Sequence, residues 1–445
     1  MTFPLPPPAK HEPLVRRLGP WALWLLVING MIGAGIFGVP AGLERLAGGF
    51  GPWVFALCAL LIAPIMLSFA RLSSAFSGTG GPVLYARAAF GAFAGFQVGW
   101  AFYIARLTAF AANLNLLVTT VAYFAPGPVG PGVRIGLLLG MSSLLVWINL
   151  VGVKAAMRSL GVLTVLKLLP LVALAGYGLF RLDAEVFASA ASPPAAIDLG
   201  AAVLLAIYAY VGFESGLVPA GESKDPKRDM PRAIVLALVV AASVYVLVQI
   251  ATRKLLPGLA DSERPVVDAG ETLLGPAGAV IVVLAIIASV GGNLLGSMFS
   301  TPRITYRLAL DSQLPPLLAD VDPKHNTPWV SVVVYGTAAF LLAVTGSFVF
   351  LAVLSVLTRL LIYITCIAGM PRIARQSDAE SLLKLPGGPV IPLLALLVCV
   401  GLLTRVSIES VLATAALLGA GSVLFAIAVV MNRRTARRTP HNPST

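Results

Sequence analysis

Long apolar runs free of charge, separated by short loops rich in glycine, proline and basic residues, number twelve along the 445 residues. Each matches the roughly 20 residues that an α-helix needs to cross a hydrocarbon core. The alternating ten-residue segments of a transmembrane β-barrel are missing from the pattern. The pattern predicts spans at about Trp21–Leu46, Gly51–Phe69, Phe93–Phe124, Val133–Val151 and Leu160–Phe180, a sixth from Leu199, and further spans at about Ala233–Ala251, Ala277–Ser300, Pro328–Thr345, Phe348–Met370, Pro389–Leu403 and Val411–Met431. The third is longer than one crossing requires and is expected to tilt. Between spans 2 and 3, S-S-A-F-S-G-T-G-G-P-V-L-Y-A-R-A-A-F-G mixes glycine turn signals with an amphipathic run, which places it at the interface.

Two of the runs are interrupted at mid-length. In the first, Gly30, Gly33, Gly35 and Gly38 fall at the centre of the helix; in the sixth, I-Y-A-Y-V-G-F-E-S-G interrupts between Ile207 and Gly216. Irregular backbone at membrane depth is tolerated only where it is buried in protein or lines a cavity. The two breaks lie five spans apart, so their helices enter the membrane from opposite sides. Paired breaks in corresponding positions of inverted halves point to a transporter's substrate site. The expected organisation is a tail at 1–20, a first repeat of spans 1–5 at 21–180, a second of spans 6–10 at 199–370, two appended spans at 389–431, and a tail at 432–445.

Composition agrees with a polytopic membrane protein: 58% of residues are hydrophobic and 11% charged, with mean hydropathy +0.92. The formal charge of +12 would suit a nucleic-acid partner were it clustered on one soluble face. Instead, 21 of the 31 Lys and Arg fall on the side of the N-terminal tail, seven on the other side, and three (Arg106, Lys167, Arg359) within spans. That asymmetry sets orientation and puts both termini in the cytoplasm. Nucleic-acid binding is excluded by it. Cys58, Cys366 and Cys399 lie in apolar spans and read as small buried hydrophobes, with no disulfide or metal spacing. The N-terminal segment lacks the core of a signal peptide, so span 1 is expected to be retained. His11, His325 and His441 lie outside the spans, and no nucleophile–base set suggests an enzyme.

Three stretches carry a family resemblance: N-G-M-I-G-A-G-I-F-G-V-P in span 1, Y-V-G-F-E-S with E-S-K-D-P-K-R-D-M-P-R-A-I, and G-S-M-F-S-T-P-R-I-T-Y-R-L-A-L-D-S-Q-L-P after span 8. Over about residues 15–431 the chain resembles the amino acid–polyamine–organocation (APC) superfamily. The resemblance implies an all-α membrane protein of 12 transmembrane helices with a LeuT-like 5+5 inverted repeat, discontinuous spans 1 and 6, and two additional C-terminal spans. It also implies sodium-independent transport of amino acids in a bacterial inner membrane, without a cofactor. Two positions depart from the family: Arg71 stands where many relatives carry a glutamate, and Ala34 where a serine is common.

An amino acid brings a carboxylate and an ammonium into a low-dielectric site, and neither can be buried without partners. Freed N–H groups around Gly33, Ala34 and Gly35 begin the outer half-helix, whose positive dipole end favours a carboxylate. Freed carbonyls at Met31, Tyr208 and Val211 can accept from the ammonium. With Ile32, Ile36, Ala209, Arg106 and Ser297, these residues form the candidate substrate set. Gly33 to Gly38 also spells G-x-G-x-x-G, but it sits inside a span and Glu44 follows too early for a dinucleotide fold.

Lys167 lies near mid-membrane and is expected to face the protein. In sodium-independent relatives a span 5 lysine stands in the place of a sodium ion, and V-L-T-V-L-K-L-L-P matches that pattern. Its ammonium reads either as a tether to span 1 and span 8 or as a protonatable coupling group. Glu214, the one acidic residue in a span, reads as a gating carboxylate or as a cap for the second break. Tyr208 resembles the aromatic residue that closes over substrate in relatives. Arg106, which the resemblance puts on the wall of the side-chain pocket, opposes cationic substrates unless Glu214 neutralises it; otherwise it is structural, as Arg359 is expected to be. The substrate expected is a neutral L-amino acid, moved by exchange or with protons, with polyamines, other amines and acidic amino acids as alternatives. A sensor that binds without net transport would keep the same site. Partner subunits and oligomeric state have no sequence signal. Single cysteines replacing Lys10 and Asn442 should both be labelled by an impermeant maleimide from the cytoplasmic face only; labelling of either from outside would overturn the orientation.

Overall fold

In the computed structural model, residues 20–76, 81–125, 127, 129–151, 160–191, 197–214, 226–325, 327–376 and 382–438 are described. The loop bearing Lys154 and Arg158, the continuation of the sixth span from Ser215 to Asp225, most of the N-terminal tail and the end of the C-terminal tail lie outside them. Among the described residues the chain is helical and contains no β-strand; Asp322 and Thr327 form one isolated bridge. Seven stretches are long and apolar enough to cross a membrane, and four shorter apolar helices accompany them.

The helices are α1 (Pro20–Met31), α2 (Gly35–Ala47), α3 (Gly51–Ser74), α4 (Pro82–Phe90), α5 (Ala92–Val121), α6 (Pro131–Val151), α7 (Leu160–Phe180) and α8 (Ala184–Ala191). They continue with α9 (Leu199–Tyr210), α10 (Pro226–Leu255), α11 (Pro265–Ser300), α12 (Pro302–Leu310), α13 (Trp329–Thr345), α14 (Phe348–Gln376), α15 (Val390–Leu403) and α16 (Ile408–Arg438). Helix ends agree with the apolar runs to within a few residues, except where polar turns extend them, as at both ends of α10. The eighth run starts earlier than its hydropathy indicates. Pro265 opens α11, and a kink at Leu274 and Gly275, the latter at φ +66°, divides a polar lead-in from the apolar part that begins at Pro276. Glycine at a helix end followed by proline at the next start is the usual punctuation of such a joint. The short helices α8 and α12 are additions that the apolar runs do not show. In α12 Pro302, Thr305, Leu308 and Ala309 are buried, while Arg303 and Arg307 remain on the other side, so its signal is amphipathic rather than apolar.

Helix α5 forms the centre. It packs on α14, α4, α11 and α13, while α10 packs on α3, α7 and α1. At the periphery, α6 and α16 bury only 22% and 17% of their apolar windows. Leu139, Leu144 and Trp147 on α6, and Leu412, Val423 and Ile427 on α16, are exposed. An apolar belt of that extent is a surface for lipid rather than for water.

Both interruptions are present. Residues 32–34 separate α1 from α2, and after α9 the chain leaves the helix at Val211 (φ −77°, ψ 159°) and turns at Gly212 (φ +106°). The breaks meet backbone to backbone. A Cβ on Gly35 would lie 2.6 Å from Ala209 Cα, and one on Gly212 would lie 2.3 Å from the carbonyl oxygen of Gly30. Gly212 is thus required twice, for its left-handed backbone and for the approach of α1. Tyr245 of α10 fastens the same junction, its hydroxyl standing 3.0 Å from Met31 O and 2.8 Å from Ala209 O. Gly212→Ala should cut detergent-stable yield and lower the unfolding temperature, whereas Gly296→Ala, on α11 with open space at its Cβ position, should leave both unchanged. Equal behaviour in a thermal unfolding assay would refute the junction's role.

Candidate substrate site

The two breaks enclose a cavity of about 40 Å³, lined from α1, α2, α5, α9, α11 and α14. That volume takes roughly three waters, so an amino acid requires the surrounding helices to open. Of the candidate residues, Met31, Gly33, Ala34, Gly35, Arg106, Tyr208, Val211 and Ser297 line it. Ile32, Ile36 and Ala209 are buried but do not: Ala209 instead packs against Gly35, and Ile32 contributes its carbonyl to Lys167. Glu214 and Lys167 stand behind the wall as braces.

Two of the groups expected to be free at the first break are not: the break folds tightly enough for Gly33 N–H to reach Met31 O, and that carbonyl also accepts from the Tyr245 hydroxyl. Gly33 N–H turns back to Met31 O at 2.8 Å, and Phe37 and Gly38 N–H both donate to Ala34 O. The N–H groups of Ala34, Gly35 and Ile36 find no backbone acceptor among the described residues. Of these residues Ala34 and Gly35 line the cavity, and N–H groups at the start of a 13-residue helix are the kind of donors that can receive an anionic group. On the other side of the break, the carbonyl end of α1 faces Lys167. Its Nζ donates to Ile32 O at 2.7 Å, to Asn29 O at 3.4 Å and to the side-chain Oδ1 of Asn29. A cation at a helix C-terminus is stabilised by the dipole and by the unpaired carbonyls. The tether to span 1 is therefore present; the hydrogen bonds of Lys167 reach Asn29 and Ile32, and none to α11 is found among the described residues.

Of the two readings of Glu214, the structure shows the cap, and it adds an ion pair. One carboxylate oxygen accepts from Gly212 N–H at 2.9 Å, capping the second break, and the other accepts from Arg359 Nε at 2.8 Å. Tyr363 donates to it at 3.3 Å. Both charged side chains are almost wholly buried, at 1% and 4% exposure, so each is the other's counter-ion. Arg359 also donates to Ala105 O at 3.3 Å and to Ser355, which ties α14 to α5. Expected to be structural, Arg359 is also a wall of the cavity. Glu214 therefore serves Arg359, and Arg106 is left with the hydroxyl of Ser300 at 3.2 Å and the ring of Phe102.

Asn113 and Asn293 were not among the candidates. They line the cavity facing each other, with Asn113 Nδ2 donating to Asn293 Oδ1 at 3.2 Å and Tyr208 hydroxyl donating to Asn113 Oδ1 at 2.8 Å. Amides in apolar helices are the signal that could have found them, because each must meet a polar partner inside the protein. Ser297 Oγ lies 3.0 Å from the hydroxyl of Tyr335, which donates to Arg106 O at 3.1 Å and so fixes α5 against α13.

A second, far larger cavity of about 1010 Å³ lies at the end of the bundle that carries Arg45, Arg134 and Arg264. Tyr208 lines the small cavity and Phe348 the large one, and the two rings meet edge to face with centroids 5.7 Å apart. Gly38 makes room for this pair: a Cβ there would fall 2.6 Å from Phe348 Cζ. The aromatic pair is thus a partition between vestibule and centre.

Removing one member of a buried ion pair leaves the other charge uncompensated, at a cost of about 3–5 kcal/mol. Arg359→Leu and Glu214→Leu should each lower the unfolding temperature of the detergent-solubilised protein sharply, and the double variant should recover much of the loss. Additive losses in a double-mutant cycle would show that the two residues do not act as a pair.

The comparisons with known proteins converge. The description "Amino acid permease" fits residues 18–442. An uncharacterized transporter of Mycobacterium bovis is 30% identical over 99% of this chain and 97% of its own length, and one of Mycobacterium tuberculosis matches to the same extent. The serine/threonine exchanger SteT of Bacillus subtilis is 27% identical over 72% of this chain and 74% of its own. A putative arginine/ornithine antiporter of the same organism is 29% identical over 71% and 74%. The chain is a transporter rather than an enzyme, and it belongs to the amino acid permease family of the APC superfamily.

Proposed function

We propose that this protein is a sodium-independent secondary transporter of α-amino acids, working by alternating access in a bacterial plasma membrane with both termini cytoplasmic. The observation that carries the reading is the junction of two broken helices around one central cavity, with the N–H groups of Ala34 and Gly35 on one side and the carbonyls of Tyr208 and Val211 on the other. These are complementary to the carboxylate and ammonium that every α-amino acid shares. The reading includes twelve spans arranged as two inverted five-span repeats with two spans appended, the breaks of spans 1 and 6 being α1/α2 and the end of α9.

Sodium independence follows from Lys167. Its ammonium occupies the carbonyl ligands of Asn29 and Ile32 that a bound cation would need, and two cations cannot share one oxygen cage. Whether protons or a counter-substrate drive uptake is a property of the cycle, and exchange is favoured by the relatives whose names describe exchangers and antiporters. Alternating access then consists of opening the Tyr208–Phe348 partition toward the vestibule in one state and the opposite end in another. Polyamines fit this site poorly, since they lack the carboxylate that α2 receives and would meet the guanidinium of Arg106. In proteoliposomes, uptake of a labelled amino acid should be stimulated by internal amino acid and be unchanged when sodium is replaced by choline. Lys167→Ala should reduce it more than tenfold. An absolute sodium requirement, or full activity in that variant, would overturn the assignment.

A further inference from the structure

Inside the membrane-spanning part lie three basic side chains, Arg106, Lys167 and Arg359, against a single carboxylate, Glu214. Two of the three positive charges are already answered. Lys167 rests on the carbonyl end of α1, and Arg359 is paired with Glu214. Arg106 has only neutral partners, the Ser300 hydroxyl at 3.2 Å and the Phe102 ring at 5.9 Å from Cζ. No carboxylate among the described residues stands within ion-pair distance of it. A guanidinium keeps its charge throughout the physiological pH range, so two cavity-lining guanidinium groups, Arg106 and Arg359, share the one carboxylate of Glu214, which pairs directly with Arg359 and acts on Arg106 only from beyond ion-pair distance.

A zwitterionic amino acid with a neutral side chain would not change this balance. Its single carboxylate is received by the N–H groups of Ala34 and Gly35, and its ammonium by the carbonyls of Tyr208 and Val211. Arg106 projects from α5, a different wall, where its guanidinium meets the Ser300 hydroxyl and the Phe102 ring. Asn293 Nδ2 has no acceptor among the described residues and lies 3.6 Å from where a Cβ on Gly33 would be. Ser297 Oγ is also on the lining. An apolar side chain placed against Arg106 would leave the guanidinium with no anionic partner, and an unmet hydrogen-bonding group costs more than a missing methylene. A second carboxylate would supply that partner.

We propose that Arg106 is the specificity-determining residue of the central cavity, and that the amino acid transported carries an anionic side chain, whose carboxylate pairs with the guanidinium. The proposal rests on the transport reading above and narrows it. It also separates this chain from its relative named as a putative arginine/ornithine antiporter, because a cationic side chain would be repelled by Arg106.

The test uses the full chain reconstituted in proteoliposomes, with L-glutamate, L-aspartate, L-serine, L-leucine, L-lysine and putrescine as competitors for exchange. L-Glutamate or L-aspartate should compete at concentrations at least tenfold below L-serine, and L-lysine and putrescine should not compete. Arg106→Gln should raise KM for the acidic substrate at least tenfold, while Arg106→Lys, which keeps the charge, should retain more of the affinity. Should Arg106→Gln not yield monodisperse protein, the wild-type competition order and the lysine variant decide the matter. Exchange of L-serine or L-leucine with no competition from acidic amino acids would overturn the proposal and leave the transport reading standing. Exchange of none of the amino acids would overturn the transport reading itself.

Discussion

A backbone polar group at membrane depth must be satisfied by protein, and the two helix breaks of this permease leave several that are not satisfied by their own helices. Much of the surrounding structure answers that demand. Lys167 and Tyr245 take the carbonyls of α1 and α9, and Glu214 takes the N–H of Gly212. The groups left over, at the start of α2, face the cavity. Site and scaffold are therefore one hydrogen-bond inventory, in which whatever the protein does not use itself is offered to a ligand.

The same inventory explains why charges enter so apolar an interior. Glu214 caps a turn at Gly212, but a lone carboxylate there would be prohibitively desolvated, so Arg359 comes from α14 to meet it. That guanidinium in turn holds Ala105 O and Ser355, coupling the second break to the central helix α5. Phe69 packs edge to face on both Phe213 and Tyr363, whose own rings are tilted against each other, and Tyr363 carries this aromatic cluster to the carboxylate. A movement of either broken helix must carry this cluster with it, which makes the break a joint between rigid parts rather than a flexible strand.

Between the central cavity and the larger one stands a packing contact rather than an ion pair. Tyr208, which lines the first, meets Phe348, which lines the second, over the bare backbone of Gly38. Tyr208 is held to Asn113 by its hydroxyl, so the ring that partitions the two cavities also reports on the polar wall of the site. A ligand that engages Asn113 would compete for that hydrogen bond, and binding and gating would then share one partner.

The sequence alone determined the membrane class, the position of nearly every long helix and both interruptions, whereas that Gly33 N–H and the Met31 carbonyl are used within the protein emerged only from the fold. The features legible in the sequence follow from hydropathy and glycine placement, which are local properties. It also singled out Lys167, Glu214, Arg106 and Arg359 as the charged residues that matter, since a charge within a span needs a partner. Which partner each one takes was decided by the tertiary structure alone. Glu214 meets Arg359 across 145 positions of chain, Tyr245 binds Met31 across 214, and Asn113 meets Asn293 across 180. Side-chain pairing over such separations depends on how helices pack, and no periodicity encodes it. For that reason a guanidinium that the sequence left open to neutralisation by Glu214 emerges from the fold as the charge that remains for a ligand.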